Sequence, residues 1–529
     1  MYLCVCNNVK TGDTDKYHLI GTNCGKCKME TLIIKKKNET FLHIDCEPSI
    51  ERELIEHFCF FVPGYRFMPA YKNRMWDGKI RLFDQRAKTL YTGLYKYLCE
   101  FCEAREYNIV IEPTAYGRPD SLQKVDIDYI INGLSLTASG EKITPRDYQL
   151  EALEHALSHK KSLLLSPTAS GKSLVIYMAI RAFLDSNDGN VLLVVPTTSL
   201  VEQMYSDFGD YSQTDEWNHE DECHRIYSGR EKFGIDKRVI ITTWQSIYKL
   251  KTPWFEDFGM VIGVEAHNFK AKSLTAILEK CHNAEYRIGT TGTLDGTQTH
   301  QLVLEGLFGP VYKVTTTKKL IEEKALADLN VDVLILKYKE EYCREVTKGD
   351  YQAEIDFIVK YEPRNNFISN LAMDLDGNTL ILFQFVEKHG KPLHTKLQEK
   401  FDTLPRKSRK LFYVSGETDV DTRESIREIT EKEKDAIIVA SIGTFSTGIN
   451  IRNLHNIIFA SPSKSQIRVL QSIGRGLRVS EDGRGTKVFD IADDLHYKSK
   501  KNYTLNHAAE RIKIYSKEKF TYKLYDINI

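Results

Sequence analysis

Short apolar runs that alternate with amphipathic stretches occupy two consecutive parts of the chain. From about residue 136 the runs read KSLLLS, NVLLVVP, KRVIITT, MVIGV and YRIGTTG. A second series reads NTLILFQF, KLFYVSG, DAIIVAS, HNIIFAS and TKVFDIA. Strand-like runs separated by helix-like stretches are typical of a parallel sheet with helices on both faces. The pattern therefore predicts two α/β domains in tandem, joined near residues 316–350.

The part of the chain before these series has a mixed pattern. ETLIIKKKN and TFLHIDC alternate as strands do, whereas SIERELIEHFCFF and GLYKYLCEFCEAREY have helical spacing. We therefore expect a small α+β domain ahead of the two α/β domains. The predicted boundaries are residues 1–33 for a Cys-rich leader, 34–118 for the small α+β domain, 119–135 for a linker, 136–320 for the first α/β domain, and 321–529 for the second α/β domain with a basic C-terminal helical segment.

The composition is that of an ordinary globular protein with room for a large core. Hydrophobic residues make up 42% of the 529 residues and charged residues 28%. The 73 basic and 73 acidic residues cancel, so any nucleic-acid surface must be a local patch. The absence of a run of about 18 apolar residues and of a secretory leader argues against a membrane span and against secretion. Eleven scattered cysteines fit a reduced, intracellular protein.

Four of the cysteines lie close together at the start of the chain. Cys4 and Cys6 form a C-x-C pair, and Cys24 and Cys27 form a C-x-x-C pair. Two close pairs separated by a hairpin-length stretch fit a four-thiolate Zn²⁺ site. The first pair has only one spacer residue, which is fewer than such sites usually have. The alternative is therefore a leader with unpaired thiols.

The segment KSLLLSPTASGKSLVIYMAI predicts a strand, a phosphate-binding loop and a helix. In such a loop the backbone N–H groups cradle phosphates, Lys172 reaches the β- and γ-phosphates, and the Ser173 hydroxyl binds Mg²⁺. Ser166 stands where the usual motif begins with glycine, but Gly171 still permits close backbone approach. The alternative is a Gly-Ser turn that happens to carry a lysine. The predicted ATP-binding residues of the loop are Thr168, Ser170, Gly171, Lys172 and Ser173.

Upstream of this loop, the stretch TPRDYQ supplies Arg146, Tyr148 and Gln149. An amide at this distance from the loop can read the adenine edge, and an aromatic ring can stack on the base. The same residues are common on ordinary helices. Their predicted role in ATP binding therefore depends on their place beside the phosphate loop.

A series of short motifs runs through both predicted α/β domains. The first domain carries SPTASGKS, VVPTTSLVEQM, ITTWQSI, VEAH and TTGTLDG, and the second carries TLILFQF, ASIGTFSTGINI and QSIGRGLR. In this order they resemble motifs I to VI of superfamily 2 helicases. With GYRFMPAYKNRMWDGKIRL in the small domain, they resemble in particular the UvsW-type helicases of T-even phages. The resemblance implies two tandem RecA-like domains, ATP and Mg²⁺ as cofactors, DNA or an RNA–DNA hybrid as partner, a monomer, and the host cytoplasm as location.

The resemblance also implies roles for individual residues. Glu265 of VEAH orients and deprotonates the attacking water. His267 couples the nucleotide site to Thr291 and Thr293. Arg475 and Arg478 neutralise charge on the γ-phosphate or, alternatively, are surface arginines. Gly448 and Gln471 contact the nucleotide. The implied contacts to the nucleic-acid strand are Thr197, Thr243, Trp244, Ser415 and Thr447.

The tetrapeptide VEAH departs from the family pattern. Val264 stands where an aspartate usually helps to hold Mg²⁺. DECH at Asp221–His224 has the aspartate, but no strand precedes it, so we interpret Asp221 as a solvated loop charge. The expected function is an ATP-dependent DNA helicase or translocase on branched DNA or RNA–DNA intermediates of phage replication, recombination and repair. The alternative is an ATP-binding protein that is impaired in hydrolysis and acts in DNA binding or strand annealing.

The small domain carries basic residues interleaved with aromatic ones. This combination suits neutralisation of a nucleic-acid backbone together with base stacking. The alternative is that Phe67 and Trp76 are core residues and the charges are ordinary surface. The predicted DNA-binding residues of this domain are Arg66, Lys72, Arg74, Trp76, Lys79 and Arg81.

Overall fold

A computed structural model describes most of the chain. The described residues are 3–5, 17–19, 31–112, 125–167, 170–227, 229–294, 297–323, 329–403, 409–448, 453–461 and 485–529. The chain divides into two compact units. The first unit consists of Met1–Leu165 and Lys172–Val314, and the second consists of Ser166–Gly171 and Thr315–Ile529. Within the described ranges, no helix combines the length and the apolar character that crossing a bilayer requires.

The first unit begins with a small α+β domain. Its strands are β1 (Leu3–Val5), β2 (Tyr17–Leu19), β3 (Thr31–Lys36), β4 (Phe41–Asp45), β5 (Cys59–Phe61), β6 (Lys79–Arg81), β7 (Phe83–Asp84), β8 (Thr89–Tyr91) and β9 (Asn108–Ile111). Its helices are α1 (Pro48–His57), α2 (Pro69–Lys72) and α3 (Tyr95–Glu103), and the helix α4 (Ile127–Asn132) follows the domain. Two strands of the predicted leader join the main sheet, whose order is β2-β1-β9-β3-β4-β8-β7. β5 and β6 form a separate antiparallel pair.

An α/β domain with a fully parallel main sheet and a small antiparallel pair of strands completes the first unit. Its strands are β10 (Thr137–Ala138), β11 (Glu141–Lys142), β12 (Lys161–Leu165), β13 (Asn190–Val195), β14 (Cys223–Ile226), β15 (Val239–Thr243), β16 (Phe258–Val264), β17 (Tyr286–Thr291) and β18 (Val311–Lys313). Its helices are α5 (Asp147–His159), α6 (Lys172–Ser186), α7 (Thr198–Tyr211), α8 (His219–Glu222), α9 (Trp244–Ile247), α10 (Lys272–Lys280) and α11 (Gln298–Phe308). The main sheet has the order β14-β15-β13-β16-β17-β12-β18, and all its neighbouring pairs are parallel. The five strands predicted from apolar runs form its centre.

The small domain and this α/β domain share one hydrophobic core. Leu90 and Leu94 of the small domain belong to the same buried cluster as Leu307 and Phe308 of α11. The approach is close at Gly93, where an added Cβ would lie 1.8 Å from a backbone carbonyl oxygen of α11. The small domain is therefore an integral part of the first unit. Its deletion would expose this core to water.

Polar contacts also cross between the two domains. Tyr91 OH donates to Glu279 Oε1 at 2.6 Å, and Lys161 Nζ lies 2.8 Å from Glu39 Oε2. Burial lowers the pKa of Lys161 to about 8, although the Glu39 carboxylate opposes that shift. Burial alone would raise the pKa of Glu39, but the ammonium groups of Lys161 and Lys36 hold it below its ordinary value. Each charge of this buried pair therefore depends on the other.

We expect Glu39→Ala to lower the free energy of unfolding of the first unit by about 3–5 kcal/mol, because the buried Lys161 ammonium then loses the carboxylate charge that offsets its burial. The double variant Glu39→Ala/Lys161→Met should recover at least half of that loss. In the single variant, Lys161 of the folded chain loses its proton at a lower pH than Lys161 of the unfolded chain. The free energy of unfolding of this variant should therefore rise from pH 8 towards about pH 10. Urea unfolding across this pH range measures both effects. Equal midpoints for Glu39→Ala and the unaltered protein would contradict the prediction.

The second unit contains a second fully parallel sheet. Its strands are β19 (Leu329–Lys337), β20 (Thr379–Phe383), β21 (Lys410–Val414), β22 (Ala436–Ser441), β23 (Asn456–Phe459), β24 (Thr486–Asp494) and β25 (Thr521–Asn528), in the order β21-β22-β20-β23-β24-β19-β25. Its helices are α12 (Thr317–Glu322), α13 (Glu340–Val346), α14 (Tyr351–Lys360), α15 (Glu362–Asp374), α16 (Lys391–Asp402), α17 (Val420–Lys432), α18 (Ile442–Gly448) and α19 (Tyr503–Glu518), with a π-helical turn at Val386–Gly390. The predicted pair of parallel α/β domains is confirmed.

The basic C-terminal segment has a structural role that the sequence did not predict. It forms the helix α19 and then the edge strand β25, which pairs in parallel with β19. Arg511 of α19 is buried, and its Nη2 lies 2.7 Å from Oδ1 of the equally buried Asp490. Arg511 is therefore a core cation, although the next basic residue of the helix, Lys513, is exposed.

Candidate functional site

The main sheet of the first unit brings several predicted site segments to one edge. Val264 at the end of β16 pairs with Thr290, and Thr291 at the end of β17 pairs with Leu165 at the end of β12. On the other side, Val195 of β13 pairs with Thr243 of β15. The carboxyl ends of parallel strands are where α/β sheets bind ligands. The segments that follow these five strands therefore begin along one edge of the sheet.

The loop after β12 is held by its own hydroxyl groups. Ser170 Oγ donates to the Pro167 carbonyl oxygen at 2.7 Å and lies 2.6 Å from Ser166 Oγ. Gly171 has a φ of 78°, in the left-handed region that favours glycine. Ser166, which replaces the first glycine of the usual motif, thus contributes a hydrogen bond inside the loop. Thr168 lies outside the described residues.

Helix α6 begins directly after this loop with Lys172 and Ser173. Ser173 Oγ lies 2.8 Å from the hydroxyl of Tyr211, the last residue of α7. The hydroxyl predicted to bind Mg²⁺ therefore has a tyrosine partner in this structure. Tyr211 was not among the predicted site residues, because a tyrosine 38 residues further along the chain carries no motif signal.

The group upstream of the loop forms the start of α5. Arg146 N donates to Gln149 Oε1 at 2.8 Å, and Arg146 Nη1 donates to the Tyr148 hydroxyl at 3.0 Å. Gln149 is buried and Tyr148 is only 3% exposed. Arg146 is thus the exposed member of the group. In this arrangement the Tyr148 ring has no open face on which a base could stack.

The predicted catalytic and coupling residues of the first unit lie in contact. His267 Nδ1 is 3.0 Å from Thr291 Oγ1 and 3.4 Å from Glu265 Oε2. Thr291 Oγ1 donates to the Thr293 carbonyl oxygen at 3.0 Å, so the same oxygen accepts a hydrogen bond from Nδ1–H of His267. The contacts therefore run from Glu265 through His267 to the segment after β17.

Glu265 has two features that fit a functional group. Its backbone adopts φ 52° and ψ 52°, a left-handed conformation that costs energy for a residue other than glycine. Its Oε2 atom is buried and has no hydrogen-bond partner among the described residues. Strained backbone and unsatisfied buried polar atoms concentrate at functional sites.

We expect His267→Ala to reduce the stimulation of ATP turnover by DNA about tenfold, because the imidazole that joins Glu265 to Thr291 is lost. DNA affinity without nucleotide should be unchanged. His224→Ala is the matched control, since the exposed His224 ring contacts the Glu231 carbonyl oxygen outside this group. The ratio of turnover with and without single-stranded DNA measures the effect. Equal ratios for the two variants would rule out the coupling role.

The predicted strand contacts of the first unit follow β13 and β15. Thr197 caps α7 and accepts a hydrogen bond from Leu200 N at 3.3 Å. The buried Thr243 hydroxyl lies 2.9 Å from Ser246 Oγ, and Trp244 is half-buried at the start of α9. The three residues therefore lie at the sheet edge at which β12 also ends.

In the second unit, the predicted contact Ser415 follows β21. It is buried, its N–H donates to Thr418 Oγ1 at 3.1 Å, and its Oγ accepts from Glu417 N at 3.3 Å. Thr447 and Gly448 end helix α18. Gln471, Arg475 and Arg478 lie outside the described residues.

A second surface of the first unit lies on the small domain. We name residues Cys59–Arg81, from β5 to β6, the basic flap. Arg66, Lys72, Arg74 and Trp76 contribute to the walls of an open groove of about 610 Å³. Trp76 Nε1 donates to the carbonyl oxygen of Lys79 at 2.8 Å, which ties the groove to β6. All six predicted DNA-binding residues of this domain are therefore grouped in one structural element.

Arg81, the sixth of these residues, lies on the same flap. Its Nη2 is 2.5 Å from Asp77 Oδ2, so its charge is locally balanced. The other basic residues of the flap therefore provide its net positive charge.

Three family models match the chain. The model "DNA helicase UvsW, N-terminal" matches residues 33–112. "Type III restriction enzyme, res subunit" matches residues 142–296, and "Helicase conserved C-terminal domain" matches residues 363–480.

Individual proteins resemble the chain over nearly its whole length. The ATP-dependent DNA helicase uvsW of Enterobacteria phage T4 is 34% identical over 514 residues, which cover 94% of this chain and 100% of that protein. The chain belongs to the UvsW family of DNA helicases. The crystal structure of T4 UvsW matches with a TM-score of 0.50 at 31% identity, covering 94% of this chain and 99% of that one. The DNA 3'-5' translocase XPB2 of Sulfurisphaera tokodaii is 23% identical and covers 66% of this chain and 82% of that protein.

The predicted resemblance to superfamily 2 helicases is thereby confirmed, and one position of this UvsW-family chain needs comment. Val264 is 4% exposed at the end of β16 and has no oxygen to offer a metal ion. Gly171, Lys172 and Ser173 have the residue types that would hold nucleotide phosphates, and Ser173 would offer one hydroxyl to Mg²⁺. The residue directly before Glu265 supplies none.

The zinc prediction concerns the start of this UvsW-family chain. Cys4 lies on β1, and Cys6, Cys24 and Cys27 lie outside the described residues. Among the residues that the structure does describe, no three His, Cys, Asp or Glu side chains are grouped as metal ligands. The zinc site remains a prediction.

Proposed function

We propose that this chain is an ATP-dependent helicase or translocase that acts on branched DNA or RNA–DNA hybrid intermediates of phage replication, recombination and repair. The observation that carries the proposal is the contact series from Glu265 through His267 to Thr291 at the edge where the phosphate loop begins. Such a series can link a nucleotide site to a strand-binding surface. Membership of the UvsW family supports the same function, since the T4 protein is named an ATP-dependent DNA helicase.

Each group at the site has a proposed task. The loop amides, Lys172 and Ser173 hold ATP and its Mg²⁺, which supply the phosphoanhydride bond and an electrophilic centre. Glu265 accepts the proton of the attacking water, and its buried Oε2 atom, which accepts no hydrogen bond from the described residues, is suited to that task. Arg475 and Arg478 neutralise charge on the transferred phosphoryl group. Remaining proposed nucleotide contacts are Arg146, Gln149, Gly448 and Gln471.

Nucleic-acid contacts are proposed at two places in the first unit. Thr197, Thr243 and Trp244 lie at the sheet edge, where hydroxyl and backbone groups suit phosphate contacts without base readout. The basic flap supplies a second, positively charged surface. Ser415 and Thr447 are proposed as strand contacts from the second unit. We propose a monomer as the active form.

Val264 favours a second candidate function. Without an oxygen ligand at this position, the chain could bind ATP with little hydrolysis and act as a DNA-binding or strand-annealing protein. The two candidates differ in turnover, since annealing needs no ATP hydrolysis.

The test uses the full chain with no substitution. ATP turnover is measured alone and with single-stranded DNA, a fork, a four-way junction and an RNA–DNA hybrid, together with strand separation of each duplex substrate. We expect DNA to stimulate turnover and branched or hybrid substrates to be separated in an ATP-dependent manner. Annealing of complementary strands without turnover or separation would support the second candidate and overturn the first.

A further inference from the structure

The basic flap exposes large apolar side chains. Phe67 is 80% exposed and Met75 is 76% exposed, and Phe61 and Met68 are also exposed. Single exposed apolar residues are normal on a protein surface, but a group of them on one element marks an interaction site. Phe67 is therefore not a core residue, although aromatic residues are usually found inside.

Aromatic contacts and two glycines hold the conformation of the flap. The Tyr65 ring stacks on Phe61 with centroids 4.7 Å apart and meets Tyr71 edge-on at 4.8 Å. Gly64 and Gly78 both have positive φ values, and a Cβ on Gly78 would lie 2.3 Å from the Tyr65 ring. These contacts order the backbone of the element that carries Phe67 and Met75.

Charge on the flap is strongly one-sided. Its basic residues are Arg66, Lys72, Arg74, Lys79 and Arg81, and its one acidic residue is Asp77, which pairs with Arg81. The chain as a whole has zero formal net charge, so this patch is a local positive field. Cations around exposed apolar groups fit a ligand that combines phosphates with accessible flat apolar faces. Nucleic acid offers such faces where base pairing ends.

We propose that the basic flap is a branch-point wedge, in which Phe67 and Met75 pack against the base pair or unpaired base at a DNA junction while Arg66, Lys72 and Arg74 hold the adjoining phosphates. The inference rests on the proposed helicase function and assigns the recognition of branch points to particular side chains. An uninterrupted duplex presents no free base face, so the wedge selects junctions over continuous duplex. Phe, Met and other apolar residues are used in this way by proteins that unstack base steps.

Binding without nucleotide tests the wedge separately from the ATPase site. A fork carrying 2-aminopurine at the first base pair of the duplex reports unstacking through its fluorescence. We compare the full chain with Phe67→Ala, Met75→Ala and the double variant. Tyr129→Ala, which removes an aromatic that is 68% exposed outside the flap, is the matched control. These residues are exposed, so their replacement should leave the fold intact.

We expect the full chain and Tyr129→Ala to raise the fluorescence on binding and the double variant not to do so. Fork affinity of the double variant should fall about fivefold to a hundredfold, the range for loss of base stacking on a side chain, and single-strand affinity should fall less. Arg74→Ala should weaken binding to forks and single strands alike and lower the salt slope by about one.

Each other outcome has one meaning. If the full chain binds no DNA, the proposed helicase function is wrong. If it binds forks and the double variant gives the same fluorescence and affinity, the helicase proposal stands and the wedge is wrong. Equal losses on forks and single strands would replace the wedge by a general strand grip. If the substitutions change sedimentation with anionic vesicles or self-association but not DNA binding, the surface serves a membrane or a second copy instead.

Discussion

Lys172→Ala is expected to abolish ATP-dependent strand separation and to lower ATP turnover on the order of a hundredfold to a thousandfold, as the removal of one charge-stabilising donor does in other enzymes. Lys172 is the first residue of α6, directly after Gly171. In this position its ammonium is suited to phosphate oxygens on which negative charge develops during transfer. DNA affinity without nucleotide should stay within about threefold, because the flap and the ends of β13 and β15 are unchanged.

The matched control is Lys142→Ala, which removes an exposed lysine from the β10–β11 hairpin and should behave as the unaltered chain. Turnover of ATP, separation of a fork, and fluorescence anisotropy of labelled single-stranded DNA are measured on all three proteins. Circular dichroism establishes that each is folded. Strand separation by Lys172→Ala at the unaltered rate would remove the phosphate-loop assignment.

The second large effect is expected from Val264→Asp, which should raise DNA-stimulated ATP turnover about tenfold to a thousandfold. The new carboxylate lies directly before Glu265 and adds an oxygen ligand for Mg²⁺ at the end of β16. Metal positioning stabilises charge on the phosphoryl group by several kcal/mol, and each 1.4 kcal/mol corresponds to about tenfold in rate. The Mg²⁺ concentration for half-maximal rate should fall, whereas ATP affinity should change less because Lys172 still contacts the phosphates.

Two further substitutions separate the oxygen from its charge. Val264→Asn adds an uncharged oxygen and should give a smaller increase, and Val264→Ala adds none and should give no increase. Val264 is 4% exposed, so the aspartate should lower the melting temperature of the nucleotide-free protein. Mg²⁺ with ATP should raise that temperature more in Val264→Asp than in the unaltered chain. Equal rates and equal Mg²⁺ dependence would show that Val264 does not limit the chemistry.

The parallel sheets could be predicted because their central strands are buried on both sides. LLVV in β13 and IIVA in β22 are continuous apolar runs, and burial of both faces requires such runs. The edge strands β14 and β18 were not predicted. CHRI and VYK are short and polar enough for an edge, so they lack that pattern. Whether a strand lies at the edge depends on the order of strands in the sheet, so the sequence of that strand gives little indication of it.

Candidate-site residues divide in a similar way. The loop before Lys172 and the strand before Glu265 could be recognised, because phosphate binding requires particular residues at fixed spacing along one segment. Tyr211 could not, since it reaches Ser173 only through the packing of α7 beside α6. The backbone conformation of Glu265 could not be predicted from the sequence either, because nothing in VEAH requires a left-handed backbone.

By itself the sequence determined the two parallel α/β domains, the small α+β domain before them, and the order of motifs that marks a superfamily 2 helicase. Each is written in local periodicity or in short motifs, where neighbouring residues share one strand, loop or helix. Only the tertiary structure decided that the small domain shares a core with the first α/β domain, that Arg511 is buried against Asp490, and that Phe67 faces solvent. These outcomes depend on partners distant in sequence, because burial is set by what the completed fold places against a side chain.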